Sequence, residues 1–129
     1  MPTIPRMAPR PRRILVGYDG SEAGQRALAA AADLAGYGSI LTVLSVADGQ
    51  AADGLLDDAR EQLLRRQVSA HYVSRSGDPA GELIEACREL ESDLLVVGRR
   101  KQGPLRRLVL GSVSAEVVNQ APCDVLVVR

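Results

Sequence analysis

The sequence predicts an α/β fold: one Rossmann-like domain built on a five-stranded parallel sheet with helices on both faces. Three observations carry that reading. Short β-branched runs alternate with helix-period segments in the order β-α-β-α-β-α-β-α-β, and strands separated by helices pair in parallel through right-handed crossovers. The run Leu94-Leu95-Val96-Val97 holds no polar residue, as a strand covered on both faces requires. The chain has 129 residues, long enough for one substantial core and too short for two.

The elements follow in order. Residues 1–11 are read as a basic Pro/Arg-rich disordered arm, and residues 12–129 as the domain. The β-branched run Ile14–Val16 is stopped by Gly17 and Gly20. Ser21 can cap the Ala-rich helix that follows, in which Ala23, Ala27, Leu28, Ala31, Leu34 and Ala35 recur at helical spacing. Gly36 and Gly38 end it. A second strand runs from Ser39 and breaks at Asp48-Gly49. Over residues 51–66, Leu55, Leu56, Ala59, Leu63 and Leu64 share one helical face, with Asp57, Asp58, Glu61, Arg65 and Arg66 on a solvated face opposite. Val68 to Gly77 alternates loosely and is the weakest strand. Asp78-Pro79 supplies an N-cap acceptor and a proline for the first helical position, and Leu83, Ile84, Cys87 and Leu90 form the buried stripe behind it. Strand four is Ser92–Gly98, the last helix covers 112–120, and the last strand is Cys123–Arg129.

Composition narrows the function. There is no Phe or Trp and only three Tyr, so a stacking platform for bases is missing. The 16 acidic and 16 basic residues cancel, but unevenly. Residues 1–13 hold four Arg and no acid (+4), residues 14–98 fourteen acids and six bases (−8), and residues 99–129 six bases and two acids (+4). The loop after strand four, with Arg99, Arg100, Lys101, Arg106 and Arg107, is therefore a positive island on an acidic body. The acidic body and the missing aromatics count against nucleic acid as a partner. Cys87 and Cys123 are far apart in sequence with no nearby His, and read as small buried apolar residues in a reducing compartment. No run suits a signal peptide or a membrane span, which points to a cytoplasmic protein without membrane contact. His71, the one His, lies in the weakest strand without a carboxylate or Cys at ligand spacing. No nucleophile–base set can be assembled around it, so no enzymatic role is expected beyond slow hydrolysis of a bound nucleotide.

In doubly wound sheets, ligands sit beyond the carboxyl ends of the strands where the strand order reverses. That selects the loops after strands one and four, Gly17–Ser21 and Gly98–Ser112, which are rich in Gly and polar residues. A helix N-terminus offers free N–H groups and partial positive charge to a phosphate. Gly98 and Gly111 would permit close backbone approach, while Ser112 and Ser114 bring hydroxyls to the first turn around Val113. The spacing matches neither a Walker P-loop nor a GxGxxG turn. The structural alternative is a capped helix beside a solvated charge run.

Two stretches, ILVGYDGSEAGQRALAAAADLA and DLLVVGRR…LGSVSAEVVNQAPCDVLVVR, resemble the opening and closing segments of the universal stress protein family, and the likeness extends over residues 12–129. The family's nucleotide signature is Gly-x2-Gly-x9-Gly-[Ser/Thr]. Gly98, Gly111 and Ser112 fall on its first, third and fourth positions, whereas Lys101 stands where the second glycine belongs. The resemblance implies an adenine nucleotide, ATP with or without Mg2+, held by Asp19 at the ribose or base, the Val46 backbone at the adenine edge, and Gly98, Arg99, Lys101, Gly111, Ser112, Val113 and Ser114 around the phosphates. Members that lack the signature bind none, so a nucleotide-free interaction protein of the same fold is the alternative. The expected strand order is 3-2-1-4-5. The edge strand Val125–Val128, apolar and without an inward charge or proline, is the expected homodimer contact, as in many family members.

Overall fold

The computed structural model of the chain describes residues 11–99 and 112–129. Its elements are β1 (Arg13–Gly17), α1 (Glu22–Leu34), β2 (Ile40–Val46), α2 (Gly49–Arg65), β3 (His71–Arg75), α3 (Pro79–Glu89), β4 (Leu94–Gly98), α4 (Ser112–Gln120) and β5 (Asp124–Val128). The sheet order is β3-β2-β1-β4-β5 with every pairing parallel. The chain winds outward from β1 to β3, then returns to place β4 on the other side of β1. The reversal therefore lies between β1 and β4, as the alternation of elements implied.

Successive strand residues point to opposite faces, and β1 shows both faces occupied. Ile14 and Val16 pack with Ala27, Leu28 and Ala31 of α1 and with Ala59 and Leu63 of α2. Leu15 joins Leu44, Leu95 and Val97 against Leu83, Ile84 and Cys87 of α3 and Val117 of α4. Each such buried aliphatic contributes roughly 1.5–3 kcal/mol, so the two helix layers are tied to the same strands by terms of similar size. The two caps read from sequence form. The Gly24 N–H donates to Ser21 Oγ at 3.0 Å, and the Gly81 N–H donates to Asp78 Oδ2 at 2.9 Å, with Pro79 opening α3.

Four expectations are corrected. Helix α2 begins at Gly49 rather than 51. Asp48 precedes it without capping it, because the Asp48 carboxylate accepts from the Ser76 hydroxyl instead. The buried stripe of α2 is narrower than the five apolar positions suggested: Ala52, Ala59 and Leu63 are buried, while Leu64, one helical step further round, is 68% exposed. Asp58 is not simply solvated, since it accepts from the Tyr18 hydroxyl and from Gln62 Nε2. Cys87 and Cys123, remote in sequence, meet in space with their Sγ atoms 2.6 Å apart.

Candidate functional site

The β1 end of the site is fixed by Tyr18. Its N–H donates to the Leu44 carbonyl at 2.9 Å, and its own carbonyl accepts from the buried Ser45 hydroxyl at 2.7 Å. The ring turns inward, 2% exposed. Its hydroxyl donates to the Asp58 carboxylate and accepts from Gln62 Nε2 at 3.0 Å. Burial, and next the hydrogen bond to Asp58, push the phenol up to about 12. A residue held at backbone and side chain alike leaves its successor, Asp19, little freedom at the surface.

Asp19 is exposed, and its Oδ1 accepts from the Ser21 N–H at 3.0 Å and the Ser21 hydroxyl at 2.6 Å. The carboxylate thus closes a turn on the helix start. It sits so near α1 that a Cβ on Gly24 would lie 2.5 Å from its Oδ1. A side chain at Gly24 would thus push the Asp19 carboxylate out of this turn, although helix propensity alone favours alanine there by about 1 kcal/mol.

Across the reversal, β4 ends at Gly98. A Cβ there would come within 2.5 Å of the Ala23 carbonyl group and 2.9 Å of the Gly24 nitrogen. The missing side chain thus lets strand and helix backbones touch, a role the sequence reading had given to a phosphate. Ser114, 3% exposed, donates its hydroxyl to the Gly98 carbonyl at 3.0 Å. Its proton is engaged in holding the first turn of α4 to the end of β4. The Arg99 N–H donates to the Val128 carbonyl at 2.6 Å, continuing the pairing with β5.

Between these two ends lies a cleft of about 280 Å3. Of the residues singled out by sequence, Asp19, Val46, Gly98, Val113 and Ser114 line it. Arg99 follows β4 but is not among the lining residues, and Ser112 opens α4. Lys101 and Gly111 lie outside the described residues, as do Arg100, Arg106 and Arg107. The sequence reading missed Gly24 and the apolar wall of Leu44 and Leu83, while Tyr18 lies within the loop Gly17–Ser21 that it selected. Gly24 carried a signal, a glycine in the first turn of an otherwise Ala-rich helix. The wall carried none, because its residues look like any others on the core stripes.

The family model of the universal stress protein family matches residues 11–129. The chain belongs to this family. A universal stress protein of Bacillus subtilis is 30% identical over 91% of this chain and 98% of its own length. One from Mycobacterium tuberculosis is 32% identical over 92% of this chain and 96% of its own. Its crystal structure covers 92% of this chain and 94% of that one with a TM-score of 0.69. A universal stress protein solved in complex with cAMP is 28% identical and superposes with a TM-score of 0.80 over 92% of this chain and 96% of that one. Among the described residues, no helix is long and apolar enough to cross a membrane.

Proposed function

We propose that this universal stress protein is a cytoplasmic regulatory module in stress response. It binds ATP or a related adenine nucleotide in the cleft between the ends of β1 and β4, with or without Mg2+, and so changes its affinity for a partner. The observation that carries the reading is the cleft's position and make-up. It opens beyond the carboxyl ends of the strands where the order reverses, with Leu44, Leu83 and Val97 as apolar and Asp19 and Ser21 as polar lining residues. Its 280 Å3 is near the lower end of the roughly 300–1,000 Å3 of ligand pockets. That suits a nucleoside, with the phosphates extending toward the start of α4 and its free N–H groups. The cAMP held by the structural relative supports an adenine ligand.

The reading is of a binding protein, with at most slow hydrolysis. Among the described residues, those lining the cleft include no His, Cys, Lys or Arg, and His71 stands at the opposite, amino end of β3. The module is a homodimer through β5, which occupies one edge of the sheet with Leu126 exposed.

Calorimetry with ATP and Mg2+ tests the reading. The expected dissociation constant is in the micromolar range, on the order of −8 kcal/mol, and a bulky residue in place of Gly111 should abolish binding. No heat and no thermal shift at millimolar ATP would refute it and favour the nucleotide-free interaction protein.

A further inference from the structure

A pair of thiols lies against the same apolar cluster that holds the cleft residues Leu44, Leu83 and Val97, but neither thiol lines the cleft. Cys87 is in the last turns of α3 and 1% exposed. Cys123 directly precedes β5 and is half-buried. Both are free, yet their Sγ atoms stand 2.6 Å apart, closer than two unbonded sulfurs rest. Around them are Leu83, Ile84, Ala86 and Leu95, none of which offers either thiol a polar partner. A metal does not account for the approach. Two thiolates on one Zn2+, each about 2.3 Å from it in tetrahedral geometry, would hold their sulfurs about 3.8 Å apart. Among the described residues no cluster of metal-ligating side chains forms.

We propose that Cys87 and Cys123 form a redox-responsive dithiol that closes to an intramolecular disulfide, with hydrogen peroxide as the oxidant. Cys123, the more accessible, reacts first. Its thiolate attacks one peroxide oxygen, the O–O bond breaks, and hydroxide leaves, giving a sulfenic acid on Cys123. The Cys87 sulfur then displaces that oxygen, the S–S bond forms, and water departs with the remaining protons. In total two thiols and one peroxide yield one disulfide and two waters, each sulfur losing one electron. Burial, and next the contact with Cys87, push the Cys123 thiol up to about 12. Thiolate is therefore scarce at neutral pH and closure is slow.

The consequence follows from chain order. The bridge ties α3 to the amino end of β5 and so closes a loop containing β4, the basic loop and α4. The cleft lies at the carboxyl ends of the same strands, so the staple tightens the segment that carries the anion-binding elements without entering the cleft. Neither cysteine is among the residues lining that cleft, so the bridge can be tested on nucleotide-free protein, apart from the proposed function.

Prolonged peroxide treatment, alkylation under denaturing conditions and intact-mass analysis test this. The expected product is monomeric in mass, lighter by two hydrogens and without alkylatable thiol. Its thermal midpoint should rise on the order of 10 °C, as expected for a loop of this length, and fall back with a dithiol reductant. Cys123→Ser should show no such shift. Retention of both thiols, a sulfinic acid on Cys123 in the wild type, or a disulfide between chains would each overturn the proposal.

Discussion

Replacing Gly98 by alanine adds one methyl group where the structure leaves no room for it. The new Cβ would lie 2.5 Å from the carbonyl carbon and oxygen of Ala23 and 2.9 Å from the nitrogen of Gly24. All three are backbone atoms at the start of α1, which is held by the Ser21 cap and by the Gln25 N–H donating to the Ser21 carbonyl at 2.8 Å. A side chain could rotate away; a capped helix start must move as a body. Overpacking a core costs about 1–3 kcal/mol, and backbone neighbours place Gly98→Ala near the upper end, about 3 kcal/mol. For a domain of this size that lowers the thermal midpoint by on the order of 10 °C. Gly54→Ala is the matched control. It lies inside α2 with nothing within 4 Å of an added Cβ, so it should stabilise by about 0.5–1 kcal/mol. Urea unfolding followed by circular dichroism measures both. If Gly98 served only to admit a phosphate, alanine would reduce nucleotide affinity and leave stability alone. An unchanged unfolding midpoint for Gly98→Ala would therefore refute the backbone contact between β4 and α1.

Ser114→Ala should cost about 1–3 kcal/mol, because the Gly98 carbonyl loses the hydroxyl donated to it; urea unfolding reads this, and a neutral substitution would mean the bond is not made. Tyr18 keeps its proton to about pH 12 in the folded chain against about 10 for an ordinary tyrosine. Its contribution to stability is thus whole below pH 10 and lost as the pH rises through 12. Tyr18→Phe should flatten the alkaline stability limb in that window, and parallel limbs would deny that burial and the bond to Asp58 hold the phenol protonated. In ATP titrations Asp19→Ala and Lys101→Ala should both weaken binding, the lysine by removing a point charge; a gain with Lys101→Gly would instead mark the lysine as an obstruction. Val127→Pro removes a ladder donor from the edge strand and should convert a dimer to monomer or insoluble protein, whereas light scattering that finds wild-type monomer at tens of micromolar would refute edge pairing.

The fold was legible because its signals are periodic. Strand runs such as Leu94–Val97 and stripes such as Leu83, Ile84 and Cys87 are set by which face must be dry, and that requirement is written along the chain. Caps were legible for a similar reason: Ser21 and Asp78 act on amides three residues away. What failed was contact between segments distant in sequence. Asp48 was read only as the break after strand two, but its carboxylate is taken by Ser76, 28 residues on. Asp58 looked solvated, yet it meets Tyr18 from 40 residues away. The Cys87–Cys123 approach spans 36. No local periodicity encodes such pairings, because each depends on where the sheet order brings two ends together.

The same distinction bears on what the glycine signature means. At Gly98, the first signature residue, and at Ser114, two residues beyond the signature, the visible contacts are internal: the glycine admits the α1 backbone, and the hydroxyl binds the Gly98 carbonyl. Gly24, outside the signature, admits the Asp19 carboxylate in the same way. These residues build the frame of the cleft whether or not a nucleotide occupies it, so their presence alone does not separate a binding member of the family from a ligand-free one. The separating groups are those whose polar atoms face the opening. Asp19 is one, with a carboxylate at the mouth beyond its turn to Ser21. Lys101, at the one position where the signature is broken, lies outside the described residues and is the second position to test by substitution. A variant that loses nucleotide affinity at either of these while keeping its unfolding midpoint reports on the ligand; a loss at Gly98 reports first on the scaffold.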